Sequence, residues 1–183
     1  MKNDNTLEIS DEARAICDLV IRGAFTEALE VAINILDTCE TIPSDVYRFK
    51  SIAESAIGDH AQAMKTLESS LGDFSNEADW YLAGEYCLEL GKINEAIDYL
   101  TKAIDLSLAK SDTYFLEVCY IERAYAYVKI GDPEGASKDL VNLEQDASVS
   151  WLRGITPITK QNLQESLGKT GKKRKQKRGQ NRI

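Results

Sequence analysis

Reactive side chains are scarce in this chain of 183 residues. It has one histidine, His60, and four cysteines, Cys17, Cys39, Cys87 and Cys119, spaced 22, 48 and 32 residues apart. Zinc sites draw on clustered Cys and His ligands, and no pair here forms a CxxC, so no metal site is expected. A histidine-dependent triad would have to use His60, which lies in the turn-like stretch "GDHAQA", where a capping or solvated role suits it better. "GKT" at Gly168 to Thr170 has the ending of a phosphate-binding loop. Leu163, however, stands where that loop needs its first glycine, and no strand pattern precedes it. The carboxylates are spread along helical patterns, as on solvated faces, and not set in pairs for acid–base work. The residues thus offer no catalytic group, no metal ligands and no grip on a cofactor, and an enzyme is the poorest reading.

Charge is unevenly placed. Up to Gly168 there are 14 basic and 30 acidic residues, a net charge of −16. The last fifteen, "KTGKKRKQKRGQNRI", add eight basic residues and no acidic one. An acidic body with a basic, solvated arm is the expected arrangement. A hydrophobic content of 43% and a length suited to one domain are those of a folded chain. The amino terminus, "MKNDNTLEIS", has no apolar core of a secretory signal, and no run approaches the roughly 18 apolar residues of a membrane span. The expected address is the cytoplasm, with the four thiols reduced and serving as small apolar residues in helices.

Four segments align on a small residue five positions after a glycine: "IRGAFTEALEVAI", "AIGDHAQAMKTLESS", "ELGKINEAIDYLTKAI" and "KIGDPEGASKDLVNL". The glycines are Gly23, Gly58, Gly91 and Gly131, and the alanines Ala28, Ala63, Ala96 and Ala136. Spacings of 35, 33 and 40 mark a two-helix repeat. Upstream of each glycine is one helical pattern and downstream another. In the third unit Ile93, Ala96, Ile97, Leu100, Ala103, Ile104 and Leu106 make an apolar stripe. The glycine ends the first helix in a left-handed conformation, and the alanine allows two helices to cross closely. Asp132-Pro133 reads as a cap followed by a first-turn proline.

These repeats resemble the tetratricopeptide family. The third unit matches through Trp80, Gly84, Gly91, Ala96, Leu100 and Ala103, and the fourth through Tyr120, Ala124, Tyr127, Gly131, Ala136 and Leu140. The second keeps Tyr47, Ser51, Gly58, Ala63 and Leu67, whereas the first has Ile16 where a small residue is expected. The expected fold is all-α: a right-handed α-solenoid of about four hairpins with a C-terminal capping helix. The repeat domain covers residues 8–146, with hairpins at about 8–40, 43–75, 77–110 and 117–146. A capping segment follows over 147–168 and a disordered basic tail over 169–183. Two departures stand out: Leu108 replaces the family's closing proline in the third repeat, and the next spacing is six residues too long. The excess predicts both flanking helices lengthened by about a turn, with a break around Lys110 to Asp112, and either a ledge in the groove or a plain convex extension. Thr156-Pro157 or Thr159 is the expected cap of the last helix. Ile158, Leu163 and Leu167 are expected to cover the last hairpin, with Trp151 and Leu152 wedged in or forming a binding lip.

What the resemblance implies is protein binding. Family groove positions fall on Ala13 and Cys17, then Arg48, Ile52 and Ser55, then Tyr81, Glu85 and Glu89, and finally Ile121, Tyr125 and Lys129. The family's chaperone-tail binders use a basic and amide set to hold a terminal carboxylate. Ala13, Cys17, Leu82 and Glu85 stand here instead, which argues against that ligand. Tyrosines beside carboxylates suit a basic or amphipathic protein segment; the alternative is that Tyr81 and Tyr125 pack between hairpins and the glutamates are solvated. The expected function is a non-enzymatic interaction module, with an adaptor, chaperone-like or neutralising role. For the tail, Lys172, Lys173, Arg174, Lys175, Lys177 and Arg178 allow three readings: nonspecific contact with nucleic acid, a nuclear-import signal in a eukaryotic cell, or contact with the protein's own acidic body or a plain aid to solubility. The first would make the chain a nucleic-acid-associated adaptor, the alternative function.

Overall fold

The computed structural model describes residues 9–72, 75–110, 114–149 and 157–169. The chain divides into two compact units, Met1–Ser75 and Asn76–Ile183. The first contains α1 (Asp11–Ile21), α2 (Phe25–Thr38), α3 (Ser44–Ile57) and α4 (His60–Glu68). Its core gathers Ala13 and Ile16 of α1, Ala28 and Ala32 of α2, and Val46 and Ala53 of α3. Ser10 starts α1 twice over. Its hydroxyl accepts from the Ala13 amide, and its own N–H and O–H donate to the Asp45 carboxylate at 2.7 and 2.8 Å. That clamp joins the beginnings of α1 and α3. Asp59 caps α4 by accepting from the Gln62 amide at 3.0 Å.

The second unit contains α5 (Glu77–Glu89), α6 (Ile93–Lys110), α7 (Leu116–Ile130) and α8 (Pro133–Leu140). A reciprocal capping box opens α5, with Asp79 and Asn76 each accepting from the other's backbone N–H. A Cβ on Gly84 would lie 2.6 Å from the Leu100 Cγ, so glycine is what lets α5 lie this close to α6. The hairpin is closed at its far end by Lys110 donating to Glu77 at 2.5 Å. Tyr99 stacks on Trp80, with the Lys102 ammonium 4.2 Å from the indole centroid. In the next hairpin Asp132 accepts from the amides of Glu134 and Gly135, and Pro133 occupies the first turn of α8.

All four repeat glycines have positive φ, between 72° and 105°, and each ends the first helix of its hairpin. A side chain there would strain the backbone. The four alanines five positions on are fully buried. The extra length before the fourth repeat is not shared between the flanking helices. α6 takes it, with 18 residues, whereas α7 has 15 and is close to α3 with 14. Ser107, fully buried, and Lys110, paired with Glu77, hold the added turn of α6 in place.

Beyond α8 the chain forms a two-stranded antiparallel ladder, β1 (Ser148–Val149) with β2 (Ile158–Thr159), which the all-helical reading did not contain. Helix α9 follows over residues 160–169. Of the two expected caps, Thr159 is used, its hydroxyl accepting from the Asn162 amide at 3.0 Å. Ile158 and Leu163 share a buried cluster with Ile121, Ala124, Leu140, Leu143 and Ala147, and Leu167 packs on it. The capping helix thus covers α7, as a terminal hairpin with an apolar outer face requires. Trp151, Leu152 and the basic tail lie outside the described residues.

Candidate partner-binding face

Tyr81, Glu85 and Glu89 recur every four residues along α5, which puts them on one helical face. Glu117, Ile121, Tyr125 and Lys129 do the same along α7. The two helices meet through Tyr81, whose hydroxyl donates to Glu122 Oε1 at 3.2 Å, and the Glu122 side chain is fully buried. The Tyr81 ring packs on Phe115 with centroids 5.6 Å apart, and Tyr114 meets Phe115 edge-on at 4.9 Å. Tyr114 itself is 79% exposed. The result is a short aromatic run, from solvent to a buried carboxylate, built where the longer third-to-fourth connection enters α7.

Electrostatics on this face are dominated by negative charge in a poorly hydrated setting. Burial, with Glu89 adding like charge, pushes the Glu85 carboxyl up to about 7, and its hydrogen bond with Tyr81 works the other way. Burial, then the charges of Glu122 and Glu85, hold the Tyr81 phenol well above its ordinary value. Cys119 is likewise raised, by burial and by Glu122, with Arg123 opposing. Such a thiol stays protonated and is a packing residue. Lys129 places its ammonium 4.9 Å from the Tyr125 ring centroid, so a phenol on this face already accepts a cation.

The sequence-derived positions do not all stand open. Ile121 is fully buried under the capping segment, and Tyr125 packs against the same cluster while staying partly accessible. Tyr81 is half-buried and engaged with Glu122 and Phe115. In the first unit Arg48 and Ser55 on α3 are buried and Ile52 is half-buried. Ser55 lies 3.0 Å from His60 Nδ1, so the histidine is tied to the end of its own hairpin. Ala13 and Cys17 belong to the core. Lys172, Lys173, Arg174, Lys175, Lys177 and Arg178 lie outside the described residues.

Sequence reading missed Glu122, Phe115 and the Arg123–Asp139 pair. Arg123 donates to both Asp139 oxygens, at 2.9 and 2.7 Å, and to Thr101 Oγ1 at 2.9 Å, tying α7 to α8 and α6. A signal existed for Glu122: a charge in "CYIERAYAYV" lies amid apolar residues on a helix with little amphipathic bias. Among the described residues no group of three or more His, Cys, Asp or Glu side chains is arranged to hold a metal ion. No helix among them is long and apolar enough to cross a membrane.

With hairpin geometry and face established, comparison with known proteins defines the class. Residues 56–103 match the family model described as anaphase-promoting complex, cyclosome, subunit 3, whose repeats are tetratricopeptide-like. The crystal structure of MamA aligns with a TM-score of 0.59 at 15% identity, covering 74% of this chain and 73% of that one. A Podosopora anserina putative kinesin light chain with nearly identical TPR-like repeats gives 0.59 at 19% identity, covering 72% and 71%. A single-substitution form of that same repeat protein gives 0.60 at 17% identity, covering 74% and 75%. A search of curated proteins finds no match. The fold is all-α and of the tetratricopeptide repeat class, as the glycine and alanine pattern implied. Folds of this class serve broadly as protein-interaction scaffolds.

Proposed function

We propose that this protein is a non-enzymatic binding module that grips a basic or amphipathic segment of a protein client along the α5–α7 face. The supporting observation is the hydrogen bond from Tyr81 on α5 to Glu122 on α7, with Glu85 and Glu89 following Tyr81 on the same face of α5, which sets a phenol ring beside carboxylates. Phenol faces and carboxylates attract ammonium and guanidinium groups, and a net −16 body speeds their arrival at low salt. Such a module acts as an adaptor, or as a chaperone-like or neutralising cover for a cationic client, in the cytoplasm.

The test is affinity capture from the native host with mass spectrometry, comparing the full chain with Tyr125→Ala combined with Glu117→Lys. Glu117 is exposed and Tyr125 partly so, and the variant, checked for unchanged helicity and melting temperature, should lose the captured client. Retention of the same client at full yield would sink the reading. If capture instead depended on added RNA, the nucleic-acid-associated alternative would replace it.

A further inference from the structure

The fourth repeat presents its part of the face differently from the third. Ile121 and Tyr125 stand 40 residues after Tyr81 and Glu85, the same offset as Gly131 from Gly91. Tyr81 and Glu85 are half-buried on α5, whereas Ile121 is fully buried and Tyr125 packs on the cluster that contains it. The ladder contributes to that cover, and both of its strands contact α7. Val149 of β1 lies directly opposite Ile158 of β2, so the two side chains leave the same side of the ladder, and both join the Ile121 cluster. The neighbouring pair points the other way: Ser148 is exposed, and Thr159 caps α9.

The ladder and α9 are fastened in different ways. Leu163, 4% exposed, and Leu167 seat α9 on the cluster. The Lys160 ammonium donates to the Leu143 carbonyl at 2.6 Å, which ties the start of α9 to the chain just after α8. The ladder itself is two residue pairs, closed by the Lys160 amide donating to the Ala147 carbonyl at 3.1 Å, and its Val149 is half-buried. An element with so few backbone bonds and buried groups opens locally more readily than the helix beside it. With Leu163 and Leu167 still seated, lifting the ladder takes Val149 and Ile158 off the cluster and leaves the rest of the cap in place.

The surface exposed by that movement is mixed in character. Ile121 is apolar, and exposed Glu117 lies one helical turn before it on α7. The occupant that fits is an amphipathic segment, with an aliphatic side chain for the place of Val149 and Ile158 and a cation one turn away for Glu117. A purely basic segment gains nothing from the uncovering of an apolar position.

We infer that the β1–β2 ladder is an autoinhibitory strap on α7, and that an amphipathic client lifts it and seats an aliphatic side chain over Ile121. The competition rests on the client-binding reading; the lifting of the ladder concerns this chain alone.

The probes are a synthetic peptide of leucine and lysine, with leucines at helical spacing, and oligolysine of the same length, each added at low salt to full-length wild type and Val149→Ala. Val149→Ala removes two carbons from a half-buried site, so the amphipathic peptide should bind it about fourfold more tightly than wild type. Oligolysine should bind both proteins alike, and Val141→Ala, 78% exposed at the end of α8, should bind either peptide as wild type does. Hydrogen exchange supplies the second readout. In free wild type the Lys160 amide should exchange at least about tenfold faster than the Gln164 amide within α9, and faster still with the amphipathic peptide bound. Equal amphipathic-peptide affinity for wild type and Val149→Ala, or slower exchange at Lys160 in the complex, would overturn the strap and leave client binding standing. Equal exchange at Lys160 and Gln164 in the free protein would overturn the lifting itself. Failure of the amphipathic peptide to bind either protein would overturn the competition and sink the client reading with it, while fast exchange at Lys160 would still support the lifting.

Discussion

Replacing Glu85 by glutamine tests whether the α5 face is as electrostatically loaded as its geometry implies. The wild-type carboxyl is raised from 4.5 to about 7, chiefly by burial and then by Glu89. Between those values the folded protein holds a proton that the unfolded chain has released. Folding stability from this group is therefore fully present below pH 4.5 and is lost as pH rises through 7. At about 1.4 kcal/mol per pKa unit the full swing is about 3 kcal/mol, and partial solvent access brings it nearer 2. Glutamine keeps the size and polarity of the side chain and removes the titration. Urea unfolding followed by far-ultraviolet circular dichroism should show the Glu85→Gln protein matching wild type at pH 5 and exceeding it by about 2 kcal/mol at pH 8. A stability difference independent of pH, or a less stable variant at pH 8, would refute the reasoning. The same loading implies that a cationic ligand releases a proton from Glu85 on binding, visible as a buffer-dependent binding enthalpy near pH 7.

Other parts of the fold give sharper structural predictions. Gly84→Ala gains about 1 kcal/mol of helix propensity but forces a Cβ to within 2.6 Å of Leu100, and the clash should win, giving a net loss of about 1–2 kcal/mol in urea unfolding. With Leu100→Ala as background, the sign of that substitution should reverse. Asp45→Ala strands the N–H and O–H of Ser10 and should cost about 1–3 kcal/mol, with faster amide exchange at the start of α1. Arg123→Lys loses the paired contact with Asp139, which is 2% exposed, and should cost about 1–2 kcal/mol by the same unfolding assay.

The hairpins were legible because their determinants are local. A glycine with positive φ and an alanine at a helix crossing are both dictated within a few residues of chain, and Asp132-Pro133 and Thr159 act as caps over three. What escaped depends on which side chains meet across long separations. Tyr81 and Glu122 are 41 residues apart, Ser10 and Asp45 are 35 apart, and no periodicity announces either pair. The same holds for the β1–β2 ladder, two residues on each side, too short to carry a strand pattern. The groove positions carried over from the family sorted themselves by neighbours the repeat pattern does not contain. Ile121 is taken by the capping segment, Tyr81 by Glu122 and Phe115, and Tyr125 stays partly accessible. Tyr114, the most exposed aromatic of the described residues, arose from the long connection and from no repeat position.

The central claim is that the α5–α7 face holds the client, and site-specific photocrosslinking in the native host tests it most directly. A benzophenone amino acid placed at Tyr125 should yield a discrete adduct with one partner protein, and the same probe at Glu144, exposed beyond α8, should yield none. Adducts from Glu144 with none from Tyr125 would contradict the account.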